Sequence, residues 1–244
     1  MSEIALRFAG VAKSYGRTRA LRDVSFDVAR GEFFGLVGVN GAGKTTLLKC
    51  LLDFCAINRG RIDIFGTPHQ LTTARKRLAF LPERFIPPYY LTGEDFIRYV
   101  LAMQATAYER ADTERMLRRL DLDLTALELP VRVYSKGMTQ KLGLAACLLS
   151  RKDLYILDEP ASGLDPQAHA LLKAQLRDLK QQARTVFFTS HALADVAEIC
   201  DRVAVMHAGA LLFAGTPAAL CAQTGSSDLE QAFLRCIDRT PQPA

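Results

Sequence analysis

Alternating apolar and polar residues open the chain and predict two β-strands. Apolar side chains occupy every second position from Ile4 to Phe8, and again from Val24 to Val28. This period of two is typical of strands with one buried and one exposed face. We therefore expect a β-rich start in which the two strands are joined by a hairpin-like connection.

The next apolar run is nearly continuous. It extends from Glu32 to Gly38, as expected for a strand that is buried on both faces. A helix from Lys44 to Phe54 is predicted to follow it. The order is therefore strand, glycine-containing loop and helix.

Helical periodicity replaces this pattern between about Thr92 and Ser150. Thr92 and Asp95 are placed to cap the first helix. The residues predicted to share a face are Phe96, Tyr99, Val100 and Met103 in one helix, and Met116, Leu117 and Leu120 in another. A helical insertion between β/α segments indicates a helical subdomain that emerges from a parallel-sheet core.

After this insertion the β/α rhythm resumes. Leu154–Leu157 and Val186–Thr189 are predicted to be buried strands, with Asp165 and Pro166 as the N-cap and first residue of an intervening helix. The pattern predicts a doubly wound α/β core.

Composition fits a globular protein of 244 residues, with 49% hydrophobic and 23% charged residues. The first ten residues lack the features of a secretory signal, so we expect a cytosolic product. The apolar stretch from Glu32 to Leu52 is interrupted by glycines and lysines, and no segment supplies the roughly 20 clean apolar residues of a spanning helix. We do not expect this chain to carry a solute across a bilayer by itself.

Cysteine spacing and net charge are less informative. The six cysteines, at positions 50, 55, 147, 200, 221 and 236, form no C-x-x-C pair, so buried free thiols are expected rather than a metal site or disulfide framework. The formal charge of +5 weakly favours an anionic neighbour, which nucleotide, lipid headgroups or nucleic acid would all supply.

A phosphate-binding loop is the strongest motif. The segment GVNGAGKT, residues 38–45, fits G-x-x-x-x-G-K-[ST] and stands between the predicted buried strand and helix. Backbone N–H groups and the helix N-terminus favour phosphate, Lys44 reaches the β- and γ-phosphates, and Thr45 supplies a magnesium ligand. A glycine-rich turn that binds nothing is the alternative, but it would leave a lysine at a helix N-terminus with no anion. The candidate nucleotide-binding residues here are Gly38, Asn40, Gly41, Ala42, Gly43, Lys44, Thr45 and Thr46.

Two acids follow the predicted strand Leu154–Leu157. Asp158 and Glu159 would lie at the carboxyl edge of the sheet, where ligands bind in open α/β folds. Asp158 is placed to hold Mg²⁺, directly or through water, and Glu159 to orient and deprotonate the attacking water. The two acids could otherwise simply end a strand and cap the next segment.

A third motif narrows the family, because phosphate loops also occur in kinases, GTPases and helicases. The segment YSKGMTQK, residues 134–141, resembles the signature motif of ATP-binding-cassette (ABC) ATPases, whose usual form is L-S-G-G-Q. Ser135 and Gly137 match that form, whereas Tyr134, Lys136 and Met138 depart from it. Ser135, the Gly137 amide and a helix N-terminus would still make a second anion site. Taken alone, the segment would fit an ordinary serine-capped helix.

Further matches follow in family order and cover nearly the whole chain. Residues 162–165 resemble the D-loop, His191 the switch histidine that contacts the γ-phosphate, and Tyr15 the aromatic residue that stacks on adenine. A structural histidine and an ordinary exposed tyrosine are the alternatives.

A further position departs from the family's usual pattern. The loop after Leu81-Pro82 normally carries a glutamine that touches magnesium and couples nucleotide state to the membrane subunit, but Glu83 stands there. We keep Glu83 as a candidate metal ligand. The apolar segment that follows, Phe85–Tyr90, fits either a docking surface for a partner helix or an internally packed proline turn.

The resemblance implies a single ABC ATPase domain over residues 1–244. It comprises a P-loop NTPase core with a parallel sheet and an N-terminal antiparallel β subdomain in residues 1–91 and 151–220. An inserted α-helical subdomain in residues 92–150 and a tail in residues 221–244 complete it.

The implied function is ATP- and Mg²⁺-dependent hydrolysis by a homodimer. The signature of each copy would complete the site of the other, and the pair would energise separate integral membrane permease subunits of an exporter-like transporter. The chain would then be peripheral, at the cytoplasmic face of the cell membrane, with no specific nucleic-acid partner. Two alternatives stay open: a soluble ATPase of the same fold that acts on nucleic acid or a protein assembly, and a nucleotide switch that barely hydrolyses.

Overall fold

A computed structural model describes residues 3–238. The strands in this part of the chain are β1 (Ile4–Tyr15), β2 (Thr18–Ala29), β3 (Phe33–Gly38), β4 (Arg59–Ile64), β5 (Thr67–Pro68), β6 (Leu78–Leu81), β7 (Leu154–Asp158), β8 (Thr185–Thr189), β9 (Arg202–His207) and β10 (Ala210–Gly215). The α-helices are α1 (Lys44–Leu51), α2 (Thr72–Arg75), α3 (Gly93–Met103), α4 (Arg110–Arg119), α5 (Lys136–Leu149), α6 (Pro166–Gln181), α7 (Leu193–Ile199), α8 (Pro217–Thr224) and α9 (Leu229–Asp238). Two short 3₁₀ turns, Leu124–Leu127 and Val131–Val133, lie between α4 and α5.

The predicted N-terminal hairpin is confirmed. Strands β1 and β2 pair antiparallel, and with β4 and β5 they form a four-stranded sheet in the order β2-β1-β4-β5. Phe8 lies opposite Phe26 and stacks on it at a centroid distance of 4.5 Å, while Arg7 and Asp27 pair on the exposed face. The alternation of apolar and polar residues therefore separates a buried face from a solvated one.

The second sheet positions the candidate site. Its six strands have the order β10-β9-β3-β8-β7-β6, in which β10 is antiparallel to β9 and the other neighbours are parallel. Strand β3 is central and buried at all six positions, as its continuous apolar run predicted. Because β3, β7 and β8 run parallel, their carboxyl ends meet at one edge of the sheet. The phosphate loop, Asp158-Glu159 and Thr189 therefore come together.

The helical segment contains the predicted helices, but the predicted face of α3 is wrong. Tyr99 and Met103 are exposed, whereas Phe96, Ile97 and Leu101 are buried. Apolar residues surround much of this helix, and its packing against α5 and the turn Leu124–Leu127 selects which stripe is covered. Tertiary contacts, rather than the local pattern, therefore decide the orientation of α3.

Capping residues mark where two of the predicted helices begin. Thr92 Oγ1 accepts a hydrogen bond from Asp95 N at 3.1 Å, and Asp165 Oδ1 accepts one from Ala168 N at 2.8 Å, so both predicted N-caps are confirmed. Helix α1, however, ends at Leu51 rather than at Phe54, because Asp53 adopts a left-handed conformation with φ of 62°. This early end directs the next segment back toward β1.

The prediction of buried cysteines holds for half of them. Cys50, Cys147 and Cys200 are buried, whereas Cys55, Cys221 and Cys236 are half-exposed. Cys55 is half-exposed because it lies beyond the end of α1. Within residues 3–238, no helix combines the length and apolar character required to cross a bilayer.

Candidate functional site

Glycines shape the loop between β3 and α1. Gly41 and Gly43 have φ of 80° and 105°, in the left-handed region that L side chains rarely adopt. Gly38 is required for another reason, since a Cβ there would lie 2.5 Å from the carbonyl oxygen of Met206. A Cβ on Gly43 would meet the carbonyl oxygen of Ala20 at 2.8 Å. The loop therefore packs closely between two strands and leads directly into α1.

Lys44, the first residue of α1, is 8% exposed. Its Nζ donates to the carbonyl oxygen of Gly38 at 2.5 Å and to that of Val39 at 3.4 Å. Burial lowers the pKa of Lys44, while the negative charges of Glu159, Asp158 and Glu83 oppose that shift. The ammonium group is thus held inside the loop and faces several carboxylates.

Asp158 ends strand β7 with its side chain buried. Its Oδ1 accepts a hydrogen bond from Thr189 Oγ1 at 2.6 Å. Burial raises the pKa of Asp158 and the charge of Glu83 adds to the rise, whereas the bond from Thr189 opposes it. The bond from Thr189 therefore fixes the direction of the carboxylate, but it does not fully offset the cost of burying the negative charge.

Glu159 adopts φ of 46°, a left-handed conformation that is uncommon for a residue with a side chain. Its backbone N–H donates to Thr189 Oγ1 at 2.9 Å, which anchors this turn. The backbone N–H of His191 donates to Glu159 Oε2 at 3.3 Å, and the ring Nε2 of His191 lies 3.2 Å from Oε1. The contact between Nε2 and Oε1 does not meet hydrogen-bond geometry. Oε1 is buried and accepts no hydrogen bond.

The pKa of Glu159 is raised. Burial is the main cause, and both the charge of His191 and its N–H bond oppose the shift. A carboxyl group with a raised pKa and one oxygen that accepts no hydrogen bond is chemically suited to take a proton.

These groups surround one cavity of about 400 Å³. It brings together the predicted residues Asn40, Gly41, Ala42, Gly43, Lys44, Thr45, Thr46, Glu83, Asp158, Glu159 and His191. Gly38 lies beneath it as the acceptor of the Lys44 bond. Val39, within the phosphate-loop motif, also lines the cavity. The remaining lining residues, which no sequence motif indicated, are Thr18, Arg19, Ala20, Arg22, Ala208 and Gly209.

Tyr15 lies beside this cavity rather than in its lining. Its hydroxyl donates to Cys55 Sγ at 3.4 Å and also interacts with Thr46, which lines the cavity. The ring is 48% exposed, and Lys13 Nζ lies 4.9 Å from its centroid. Tyr15 therefore has a free ring surface near the cavity.

The signature segment lies in a different place. Ser135 is the exposed N-cap of α5, where its Oγ accepts a hydrogen bond from Met138 N at 3.1 Å. Lys136, Thr139 and Gln140 line a neighbouring groove of about 620 Å³, together with the loop after Glu83. Ser135 and Gly137 line neither the phosphate cavity nor this groove. One chain does not bring them to its own phosphate loop.

Two further residues connect these parts, and sequence reasoning gave them no role. The hydroxyl of Thr189 donates a hydrogen bond to the Asp158 carboxylate and accepts one from the backbone N–H of Glu159. Gln140 is buried, and its Nε2 donates to the carbonyl oxygen of Pro160 at 3.0 Å, which ties the signature helix to the turn after Glu159. A polar residue ending an apolar strand was the available signal for Thr189.

The cavity offers only part of a metal site. Within the described residues, no three histidine, cysteine or acidic side chains converge to hold a metal ion. Thr45, Asp158 and Glu83 nevertheless line the same cavity and present hard oxygen donors. This donor set suits Mg²⁺, which commonly takes one or two carboxylates and completes its shell with water and substrate phosphates.

The chain matches known proteins over most of its length. The family model described as ABC transporter matches residues 21–162. An uncharacterised ABC transporter ATP-binding protein of Synechocystis is 40% identical over 205 residues, which are 82% of this chain and 57% of that protein. A Nod factor export ATP-binding protein I of Bradyrhizobium diazoefficiens is 35% identical over 226 residues, or 90% of this chain and 73% of that protein. Among solved structures, an ATP-binding subunit of an ABC transporter matches with a TM-score of 0.84 and 30% identity, covering 95% of this chain and 99% of that one.

Proposed function

Because the chain belongs to the ABC transporter family of ATP-binding proteins, we propose that it binds and hydrolyses ATP to drive transport through separate membrane-spanning subunits. The observation that carries this proposal is the single cavity in which the Lys44 ammonium group, Thr45 and three carboxylates face one another.

Binding of the phosphates begins at the loop. Its backbone N–H groups and the N-terminus of α1 favour anions, and Lys44 exchanges its bonds to Gly38 and Val39 for bonds to phosphate oxygens. Phosphate would also relieve the cost of burying a cation. Tyr15 would hold adenine against its free ring surface, since the ring lies beside the cavity.

Thr45, Asp158 and Glu83 would hold Mg²⁺ together with the nucleotide. When bound, the ion neutralises charge on the phosphate oxygens during transfer. Thr189 fixes the direction of the Asp158 carboxylate. Glu83 contributes a negative charge where the family usually has a neutral glutamine, which agrees with its effect on the pKa of Asp158.

Glu159 is the proposed general base for the attacking water. Its raised pKa brings its basicity closer to neutral pH, and its Oε1 retains the capacity to accept a proton. His191 lies against the same carboxylate and would contact the γ-phosphate, so it connects the base to the nucleotide.

Two copies are needed because the signature is remote from the phosphate loop of its own chain. Ser135 and Gly137 stand at the exposed start of α5, where a hydroxyl and backbone amides face outward. We infer that they meet the nucleotide bound by a second copy. A head-to-tail pair then contains two such composite sites.

Membrane partners would dock on the loop after Glu83. Phe85 and Pro87 pack inward, whereas Ile86 is 82% exposed and Tyr89 and Tyr90 are exposed beside it. Neighbouring apolar side chains at a surface mark an interaction site. We propose that docking there makes the chain a peripheral subunit at the cytoplasmic face of the membrane, and the relatives named for export support an exporter.

Complementation tests the composite site. Ser135→Arg and Lys44→Ala chains are each expected to lose ATPase activity. A mixed pair would contain one site with both changes and one site with neither, so mixing should restore part of the activity. Mixed pairs isolated with two affinity tags and found fully inactive would contradict the head-to-tail arrangement.

Membrane fractionation tests the docking surface. Ile86→Asp should release the chain from membranes that contain its partner, because a charge would be buried at the contact. Leu71→Asp is the matched control, since Leu71 is exposed and lies outside this loop. Release of both variants, or of neither, would argue against docking at the loop.

A further inference from the structure

Two thiols touch beside the candidate adenine site. Cys50 lies in α1, the helix that begins at the phosphate loop, and is fully buried. Cys55 follows the end of α1 and is half-exposed. Their Sγ atoms are 3.5 Å apart. No role has been assigned to this contact in nucleotide binding or hydrolysis.

We propose that Cys50 and Cys55 form an oxidative modification site, which closes to an intramolecular disulfide in the presence of hydrogen peroxide and weakens ATP binding. The effect on ATP rests on the proposed stacking of Tyr15 on adenine, whereas formation of the disulfide does not.

Accessibility sets the order of the chemical steps. The Cys55 thiolate attacks peroxide first, because Cys50 is buried: an S–O bond forms, the O–O bond breaks and hydroxide leaves. Peroxide is reduced, and Cys55 is oxidised to the sulfenic acid. Cys50 then attacks that sulfur, so an S–S bond forms, the S–O bond breaks, and the hydroxyl group leaves with the thiol proton as water.

Burial also separates the roles of the two thiols. It raises the pKa of Cys50 to about 12, so this sulfur is mainly protonated and is a poor nucleophile toward peroxide. In the attack on the adjacent sulfenic acid, its proton passes to the leaving hydroxyl group. Cys50 nevertheless already contacts the sulfur that it would attack. Its role is therefore to resolve the oxidised Cys55.

Closing the disulfide would shift the partner of Tyr15. The sulfurs must move from 3.5 Å apart to a bond length of about 2.05 Å. Cys50 is fully buried within α1, so Cys55, which follows the end of that helix, makes most of this movement. The Tyr15 hydroxyl, which donates to Cys55 Sγ at 3.4 Å, would then lose its acceptor. The ring would be less well fixed for stacking on adenine.

Peptide mapping tests the modification without nucleotide. After peroxide treatment, alkylation and cleavage of the chain at Asp53, which lies between the two cysteines, we expect Cys50 and Cys55 to appear as one disulfide-linked species that dithiothreitol separates. Cys55→Ser should prevent it, and Cys221→Ser is the matched control because Cys221 is also half-exposed. Cys55 oxidised beyond the sulfenic acid while Cys50 remains alkylatable would overturn the proposal.

Calorimetry of the intact chain tests the consequence. Oxidation should weaken ATP binding about two- to three-fold, the effect of losing one weak hydrogen bond. Inorganic tripolyphosphate, which has no base to stack, should bind equally to the oxidised and reduced chains. A mapped disulfide with unchanged ATP affinity would overturn the predicted effect on ATP. Reduced chain that fails to bind ATP would instead contradict the proposed function.

Discussion

Replacing Lys44 with alanine removes the cation at the centre of the site, and the structure bounds the loss. A hydrogen bond to a charged group contributes about 1.5–3 kcal/mol. Since Nζ already bonds Gly38 and Val39, phosphate replaces existing acceptors rather than water alone. We therefore place the loss at the lower end, about 1.5–2 kcal/mol, which weakens the Kd for ATP roughly 10- to 30-fold.

Titration calorimetry with a non-hydrolysable ATP analogue would measure this change. Lys49→Ala is the matched control, because Lys49 lies on the same helix and is exposed. This substitution removes the same charge as Lys44→Ala. The control should bind as the wild type does. Equal loss in both variants would show that overall charge, rather than the position of Lys44, determines affinity. A Lys44→Ala chain with wild-type affinity would refute the phosphate-loop assignment.

The carboxylates of Asp158 and Glu159 also control stability and pH dependence. Glu159→Gln should raise the free energy of unfolding of the nucleotide-free chain by about 1 kcal/mol at pH 7–8, because folding then no longer buries an ionised carboxylate. Denaturant titration would measure this change. A raised folded pKa gives stability that is present at low pH and is lost as pH rises through that pKa, so the difference should shrink on acidification. In a plot of kcat/KM against pH, the pKa that governs the loss of activity in acid should be higher than the ordinary glutamate pKa. This pKa should rise further in any active His191→Ala chain, since His191 lowers the pKa of Glu159. Thr189→Val should cost about 1–3 kcal/mol of unfolding free energy, because the Glu159 N–H loses its acceptor and Asp158 loses its hydroxyl donor. Thr72 is exposed, so Thr72→Val should cost much less.

Local patterns in the sequence were sufficient for most of the fold. Alternation in β1 and β2, and the continuous apolar run of β3, depend on which faces are buried, and that information is local. The orientation of α3 could not be obtained in this way. Its apolar residues fit more than one stripe, and contacts with α5, more than 30 residues away, exclude Tyr99 and Met103 from the core.

The candidate site shows the same division. The phosphate loop is a contiguous motif with a fixed shape, so spacing predicted its place. The roles of Thr189 and Gln140 depend on side chains that meet residues about 20–30 positions away, which no local pattern reports. The contact of Cys50 with Cys55 depends on where α1 ends, and the apolar pattern predicted that end three residues too late.

Two copies of the chain are proposed to close around ATP. Light scattering of the Glu159→Gln chain with Mg²⁺ and ATP would detect this pair, because the variant should bind ATP without consuming it. We expect the mass of two chains with ATP and of one chain without it. A monomer whose site is shown to be filled with ATP would contradict the composite site formed with the Ser135 segment of a second copy.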